Sequence, residues 1–204
     1  MKIAALLAAV MIPLTSPAGW QELKFSRIKA NTNTFGPPGL EVAVDHSSSP
    51  LIFPLKEPVQ VTSFEAVLEI EGDMRSVSGS PPEDAYLRLG LVAPGERRLN
   101  RFERMIATDW VKRLFALAPK GSGVDKIHFF TLSDRDLGRS RKFPGSKWLM
   151  VERIIAVRDP GTRNFMFAHT LEVPLLTTAL WLSVDGDDTQ STYTLRLKSL
   201  TLNP

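Results

Sequence analysis

The chain has 204 residues, of which 43% are hydrophobic and 23% are charged, so it is long enough to bury the apolar core of one domain. It contains no cysteine, which excludes disulfides, thiolate zinc sites, cysteine nucleophiles and iron–sulfur clusters. Its 15 prolines and 13 glycines predict frequent turns and disfavour long uninterrupted helices.

The first 18 residues have the pattern of a secretory signal peptide. A lysine at the second position is followed by an apolar run from Ile3 to Ile12 and by small residues before position 19. The run is shorter than the about 20 residues that a membrane span needs. We therefore expect cleavage after Ala18, a single domain over residues 19–204, no transmembrane segment, and an exported protein that is periplasmic or secreted.

Charge is distributed unevenly along the rest of the chain. Residues 97–163 contain 16 Lys and Arg against 7 Asp and Glu, whereas residues 19–96 contain 6 against 11. One interpretation is that the basic middle pairs with the acidic start inside the fold. The other is that it binds an anionic partner, such as an acidic polysaccharide or a lipid headgroup. Export disfavours nucleic acid as that partner.

Apolar and polar residues alternate along several segments, which is typical of half-buried strands. The alternation that ends at Leu197 changes parity before Leu200, and this predicts a β-bulge near Ser199. Strands are predicted at 23–28, 40–44, 51–55, 64–70, 85–91, 126–132, 148–157, 165–173, 180–184 and 193–202. About ten short strands separated by regular turns predict a mainly β fold, an antiparallel β-sandwich or jelly roll.

One segment has helical rather than strand periodicity. Between residues 100 and 118 the apolar side chains of Phe102, Ile106 and Leu114 recur at helical spacing, with Trp110 between them. Asn100 followed by Glu103 resembles a capping box. We expect one amphipathic helix that covers an end of the sandwich. Its basic opposite face leaves open peripheral contact with an anionic membrane surface.

The most informative local cluster is the acidic run at residues 185–189. Asp185, Asp187 and Asp188 offer oxygen ligands of the kind that Ca²⁺ prefers, although the sequence after them does not continue an EF-hand loop. The alternative is an Asp-rich hairpin turn in which the side chains accept backbone hydrogen bonds. Both interpretations, a metal site or a turn, stay open at this point.

Two tryptophans are candidates for a sugar-binding surface, because a flat ring matches the C–H face of a pyranose. Trp181 is out of phase with Leu180 and Leu182, so it is open or partly open if those leucines face the core. Trp148 lies beside a lysine and its face is ambiguous. The three histidines are scattered and lack the spacing of a metal site.

Five stretches together resemble an uncharacterised family of exported bacterial proteins, the domain of unknown function three-thousand-and-forty-seven. The stretches are residues 19–25, 49–55, 83–89, 147–148 together with 152–153, and 182–189. The family's tryptophan-rich strand is replaced here by residues 64–68. The resemblance implies a jelly-roll-like β-sandwich akin to carbohydrate-binding modules, and it implies no established activity.

No phosphate-binding loop, dinucleotide-binding glycine motif or G-x-S-x-G elbow occurs in the sequence. We therefore expect an exported, non-catalytic module that binds a carbohydrate or another cell-envelope ligand. Trp181, Asp185, Asp187 and Trp148 are the candidate ligand-binding residues. The alternatives are an envelope protein that docks an anionic partner through the basic helix and residues 135–142, and a glycan hydrolase with two carboxylates in one cleft.

Overall fold

The computed structural model describes residues 8–75, 84–116, 118, 123–142 and 149–204. Within these ranges the chain forms eleven strands and two short helices. The strands are β1 (Val10–Met11), β2 (Gln21–Glu22), β3 (Thr32–Gly36), β4 (Gly39–Asp45), β5 (Leu51–Glu71), β6 (Leu87–Gly95), β7 (Gly123–Ser133), β8 (Ser140–Lys142), β9 (Met150–Val157), β10 (Asn164–Ser183) and β11 (Thr192–Asn203). The helices are α1 (Arg101–Ile106) and α2 (Asp109–Ala116).

The strands form one hydrogen-bonded sheet in the order β3-β4-β11-β5-β10-β6-β7-β9-β8, with β1 on β11 and β2 on β5. All described pairs are antiparallel except β7 and β9, which are parallel. The expectation of a purely antiparallel fold is therefore wrong at this pair. The chain first forms β8 at the outer edge and then returns, so that β9 fills the place between β8 and β7.

Two very long strands curl this sheet into a sandwich. β5 has 21 residues and β10 has 20, and each joins two strands that the sequence predicts separately. Their mutual register shifts twice along their length, and such irregularities bend a strand. The curl brings Phe64 of β5 to 5.4 Å from Phe130 of β7, ring centroid to ring centroid. The mainly β sandwich is thus confirmed.

The inner face of the sandwich holds the larger core. The alternating residues Phe64, Ala66, Leu68 and Ile70 are all buried, as their spacing predicts. The predicted bulge is also confirmed, because the pairing of β11 with β5 slips between Leu197 and Ser199. Leu200 and Leu202 return to the same core after the slip. Because of the bulge, apolar side chains of β11 face the core both before and after the slip.

A second apolar cluster covers the outer face of β6, β7 and β10. It contains Leu23 from the segment after β2 and Leu114 from α2, packed against Phe129 and Trp181. As a result, only 5% of Trp181 is exposed, although Leu180 and Leu182 face the inner core as expected. The prediction that Trp181 is open is wrong, because both faces of β10 are covered here.

The predicted single helix is two short helices. Asn100 and Glu103 form the expected capping box, but Ala107 ends α1 in an extended conformation. Leu114 of α2 is buried under the second cluster, so α2 covers the sheet as predicted. By contrast, Phe102 and Ile106 of α1 are 66% and 65% exposed, and their assignment to a covered face is wrong; Met105 beside them is 69% exposed. The side chain of Trp110 lies outside the described residues.

The N-terminal segment is also packed against the sandwich. Val10 and Met11 pair with Leu202 and Thr201 of β11, and the Ile12 amide donates to the Leu200 carbonyl at 2.9 Å. Ile12 and Leu14 are buried in the inner core. Cleavage after Ala18 remains a prediction. The strand expected over residues 23–28 is wrong, since pairing there stops at Glu22. In the described ranges no helix has the length and apolarity needed to cross a membrane.

Candidate functional site

A cavity of about 260 Å³ lies on the outer face beside the acidic run, and we call it the acidic cavity. One wall is apolar and includes Phe25, Phe129 and Trp181. The other wall is polar and includes Ser48, Asp84, Arg88, Ser183, Asp185, Asp187 and Asp188. The cavity therefore brings together four of the candidate residues, Trp181, Asp185, Asp187 and Asp188. Trp148 lies outside the described residues.

A glycine shapes the apolar wall. Gly90 of β6 pairs in register with Trp181 on one side and with Phe129 on the other. A Cβ atom at Gly90 would lie 2.7 Å from the Phe129 ring, so only glycine leaves room for the ring in this position. The rings of Phe129 and Trp181 meet edge to face above this glycine, with centroids 6.1 Å apart and planes at 87°. The result is a rigid aromatic corner.

The Asp185 carboxylate is held in place by three groups. The hydroxyls of Ser48 and Ser183 each donate a hydrogen bond to it at 2.6 Å. The Arg88 guanidinium, itself 5% exposed, forms an ion pair with its second oxygen. The Asp185 amide also donates to the Ala85 carbonyl at 3.1 Å, which fixes the backbone. This carboxylate is therefore pre-ordered and its orientation does not depend on a ligand.

Arg88 joins the cavity to a second buried acid. Its Nε donates to Oε1 of Glu152 on β9 at 2.7 Å, and the hydroxyl of Thr131 on β7 donates to the same oxygen at 2.8 Å. Nearby carboxylates raise the pKa of Arg88 against the opposing effect of burial. A buried arginine between two acids remains charged, so the floor of the cavity holds one fixed cation between two buried carboxylates.

The acidic run forms a turn, but not the hairpin turn considered above. β10 and β11 are not neighbours, because β5 separates them in the sheet. Asp84, which precedes β6, accepts hydrogen bonds from the Thr189 amide at 2.7 Å and the Thr189 hydroxyl at 2.6 Å. The Asp188 amide is a third donor at 3.3 Å. Asp84, outside the run itself, therefore holds the turn on the sheet.

Asp187 is the half-buried acid of the cavity, and its environment opposes ionisation. Burial, followed by the negative charges of Asp84, Asp185 and Asp188, raises the pKa of Asp187 to about 6. Burial likewise raises the pKa of Asp84, although the Thr189 hydrogen bonds oppose it. A ligand that donates hydrogen bonds to these carboxylates would relieve the unfavourable charge.

The three aspartates that the sequence suggests as metal ligands differ in burial and in their contacts. Asp185 is buried and engaged by Ser48, Ser183 and Arg88, whereas Asp188 is exposed on the turn. Across the part of the chain that the structure describes, no group of three His, Asp or Glu residues could hold a metal ion. Calcium binding by Asp185, Asp187 and Asp188 therefore stays a prediction that no contact in the described structure supports.

The sequence did not identify Arg88, Phe129 and Asp84 as parts of the site. One signal was available for Arg88, which lies in a run of apolar residues from Leu87 to Ala93 interrupted only by Arg88 and Gly90. Such a run is typical of a strand that is buried on both faces, where a charged residue needs a buried partner. No local signal in the sequence indicates that Phe129 lines a cavity.

Several ion pairs connect the basic middle of the chain to its acidic ends. Arg158 contacts Asp73 at 2.5 Å, Arg163 contacts Glu69 at 2.8 Å, and Arg153 contacts Glu172 at 2.8 Å. These pairs support the interpretation that the charge asymmetry is matched inside the fold. Arg101 and Arg104 of α1 are exposed and lie outside this matching.

No family model and no curated protein matches the chain. Solved structures with a weak likeness include the xylan-binding module CBM15, with 10% identity, a TM-score of 0.40, and coverage of 96% of this chain and 95% of that one. A cyclase from Fischerella sp. TAU has 12% identity, a TM-score of 0.32, and coverage of 97% and 98%. The Stig cyclase Fisc from Fischerella sp. TAU, in complex with a pyrrolidinylidene indole, has 12% identity, a TM-score of 0.33, and coverage of 98% and 92%. These TM-scores are too low for any of the three structures to indicate the function of this chain.

Proposed function

We propose that the protein is a non-catalytic module that binds a carbohydrate in the acidic cavity. The observation that carries the proposal is the meeting of a rigid aromatic corner with pre-ordered carboxylates in one cavity. Trp181 and Phe129 line the apolar wall of the cavity, where the small exposed part of each ring can contact the C–H groups of a sugar ring. The carboxylates of Asp185 and Asp187 accept hydrogen bonds from sugar hydroxyls on the opposite side.

The size and charge of the cavity restrict the class of ligand that it can bind. Its volume of about 260 Å³ lies just below the roughly 300–1,000 Å³ of small-molecule sites, which favours a single sugar ring over a long segment. Four carboxylates face the cavity against one arginine, Arg88. An anionic sugar would be repelled, so the ligand is a neutral sugar residue, at the end or along the edge of a glycan.

The first test is isothermal titration of the full chain with neutral hexasaccharides, cellohexaose, maltohexaose and chitohexaose, and with anionic polygalacturonate. We expect saturable binding of a neutral sugar and none of polygalacturonate. Asp187→Asn keeps the size of the side chain but removes its charge. Because a hydrogen bond to a charged group contributes about 1.5–3 kcal/mol, the variant should bind about tenfold more weakly.

Asp125→Asn is the matched control, since Asp125 is an exposed acid that does not line the cavity. Its affinity should stay within about twofold of the wild-type value. Equal losses in the two variants, or no binding by any neutral sugar, would contradict the proposal. Release of reducing ends during the titration would favour the glycan hydrolase instead.

Export and the family resemblance belong to the same proposal. A module for an envelope glycan acts outside the cytoplasm, which agrees with the signal-like pattern before Gly19. N-terminal sequencing of the protein recovered from the periplasm or medium would locate the cleavage. Recovery of the whole chain only from the cytoplasm would contradict export.

A second candidate function is docking on an anionic lipid surface, and the exposed face of α1 favours it. Phe102, Met105 and Ile106 are large apolar residues that are 65–69% exposed, and the exposed residues Arg101 and Arg104 belong to the same helix. Apolar side chains flanked by arginines are the composition of helices that lie in a membrane interface. Vesicles of phosphatidylglycerol should then sediment the protein, and vesicles of phosphatidylcholine should not.

The double variant Phe102→Ser with Ile106→Ser should abolish this sedimentation. Met166→Ser, an equally exposed apolar residue on β10, is the control and should leave it unchanged. Sedimentation that is the same in both variants, or that is insensitive to about 0.5 M salt, would contradict lipid docking through α1.

A further inference from the structure

A second and larger cavity opens at the side of the sandwich, and we call it the side cleft. It has a volume of about 580 Å³ and lies between β7, β9 and the middle of β10. This volume is within the range of roughly 300–1,000 Å³ that is typical of small-molecule sites. None of the candidate residues from the sequence lines it. The side cleft therefore needs an explanation separate from the acidic cavity.

The cleft owes its shape to an irregularity in β10. Thr170 pairs with Ser63 and Leu175 pairs with Val61, so four residues of β10 stand opposite the single residue Thr62. One of the four is Pro174, which has no amide to donate to a neighbouring strand. β10 therefore bows away from β5 at this point. The bow supplies one wall of the cleft.

The walls of the cleft are mostly apolar. Leu171, Val173 and Leu175 come from the bowed part of β10, and Phe130 and Val151 come from β7 and β9. Val173 is 75% exposed, which is unusual for a valine in a strand beside a core. Phe130 also contacts Phe64 of the inner core, so the floor of the cleft is rigid.

Two imidazoles give the cleft its polar groups. His128 and His169 both line it, and within the described residues neither has a hydrogen-bond partner. Burial lowers the pKa of each, assisted by Lys126 at His128 and by Arg153 at His169. Both are therefore neutral at pH 7, and each neutral ring offers one N–H donor and one nitrogen acceptor.

The charges that line the cleft are compensated. Arg153 of β9 forms an ion pair with Glu172 of β10 at 2.8 Å, and both side chains are largely exposed. Glu152, which also lines the cleft, is paired with the buried Arg88. Each charged side chain that lines the cleft in the described part of the chain therefore already has a partner of opposite charge. A neutral ligand with an apolar body meets the apolar walls at no electrostatic cost.

We propose that the side cleft binds a small, neutral, mostly apolar ring compound whose hydrogen-bonding group is directed at His128 and His169. This site is independent of the proposed glycan site, because the two cavities lie on opposite faces of β7 and are lined by different side chains apart from Phe129.

The probe that fits this chemistry is N-phenyl-1-naphthylamine, a neutral aromatic amine with one N–H group that fluoresces in apolar surroundings. Titration of the full chain should give saturable binding of one molecule per chain. Val173→Arg places a cation on the exposed lip of the cleft without disturbing a buried residue. It should weaken binding by about tenfold or more.

Met166→Arg is the matched control, because Met166 is a similarly exposed apolar residue of β10 outside the cleft. Its binding should stay within about twofold of the wild-type value. Equal effects of the two substitutions would mean that the dye binds elsewhere, for example on α1, and would overturn the proposal. Absence of saturable binding to the wild-type chain would overturn it as well.

A charged analogue tests the neutrality of the cleft. 8-Anilinonaphthalene-1-sulfonate has nearly the same rings but carries a sulfonate, so it should bind the wild-type chain about tenfold more weakly. Glu172→Gln removes the carboxylate that pairs with Arg153. It should therefore raise the affinity for the anionic dye and leave the affinity for the neutral dye unchanged. Equal affinity of the two dyes for the wild-type chain would contradict a neutral ligand. Val173 does not line the acidic cavity, so Val173→Arg should leave hexasaccharide binding unchanged, and this proposal and the glycan proposal can fail separately.

Discussion

The inner and outer faces of β10 and β6 are both buried, but they are buried by different means. On the inner face Leu180 and Leu182 pack against apolar side chains from the opposite layer. On the outer face the buried side chain of Arg88 forms ion pairs with two buried acids, Asp185 and Glu152. Apolar burial is a sum of many small contacts, whereas a buried charge is stable only while its partners remain.

This difference separates the roles of the two faces. The inner face needs volume and tolerates exchange of one apolar side chain for another of similar size. The outer face keeps polar groups at fixed positions beside a cavity, which is the condition for recognising a polar ligand. We therefore expect stability to respond differently to substitutions on the two faces, and the following predictions start with the largest effect.

Arg88→Met should cost about 4 kcal/mol in the free energy of unfolding, because it leaves Glu152 and Asp185 buried without their cation. Urea denaturation of the purified full chain measures this loss. The triple variant Arg88→Met, Glu152→Leu and Asp185→Asn is the control. It should recover most of the loss, since no buried charge remains. A triple variant less stable than the single one would show that packing rather than charge dominates the outer face.

Leu182→Ala should cost about 3 kcal/mol by urea denaturation, through lost apolar burial and the cavity left behind. Leu182→Met keeps the volume and should cost less than about 1.5 kcal/mol. If the two substitutions were equally destabilising, the inner face would depend on shape in detail and not on volume.

Gly90→Ala should cost about 2 kcal/mol, because the added Cβ lies 2.7 Å from the Phe129 ring and forces the aromatic corner apart. The same variant should weaken hexasaccharide binding, which titration measures alongside its thermal unfolding. Gly36→Ala is the control, because a Cβ atom there would have no neighbour within 4 Å. Gly161 is unsuitable as a control position, since its positive φ would strain an alanine. If Gly90→Ala left the sugar affinity unchanged, the aromatic corner would not be part of the binding site.

Asp187→Asn should stabilise the protein by about 1 kcal/mol at pH 7, a figure reduced for the partial exposure of the group. The pKa of Asp187 rises from 3.8 in the unfolded chain to about 6 in the folded one. The folded state therefore binds the proton more tightly, and stability falls as the pH rises through that interval. Unfolding curves at pH 3.5 should show no difference between variant and wild type. A constant difference at every pH would exclude the charge as its cause.

The sequence predicted the inner face well, because that face follows a local rule. The alternation from Phe64 to Ile70, the slip before Ser199 and the Asn100 cap each depend on a few neighbouring residues. The burial of Trp181 was missed, since it depends on Leu23 and Leu114, which are distant in sequence. The sequence singled out the acidic run as a candidate, but it did not reveal that Asp84 fixes the turn.

The pairing of β1 with β11 has a consequence for the order of events in folding. In the uncleaved chain Val10 pairs with Leu202, which is far from it in the sequence, so β1 can take its place only after β11 is available. Until then Ile12 and Leu14 have no pocket, and the closing step of the sandwich is among its slowest because the contact is so distant in sequence. A variant in which a short linker connects β11 directly to β1 would turn this long-range contact into a local one.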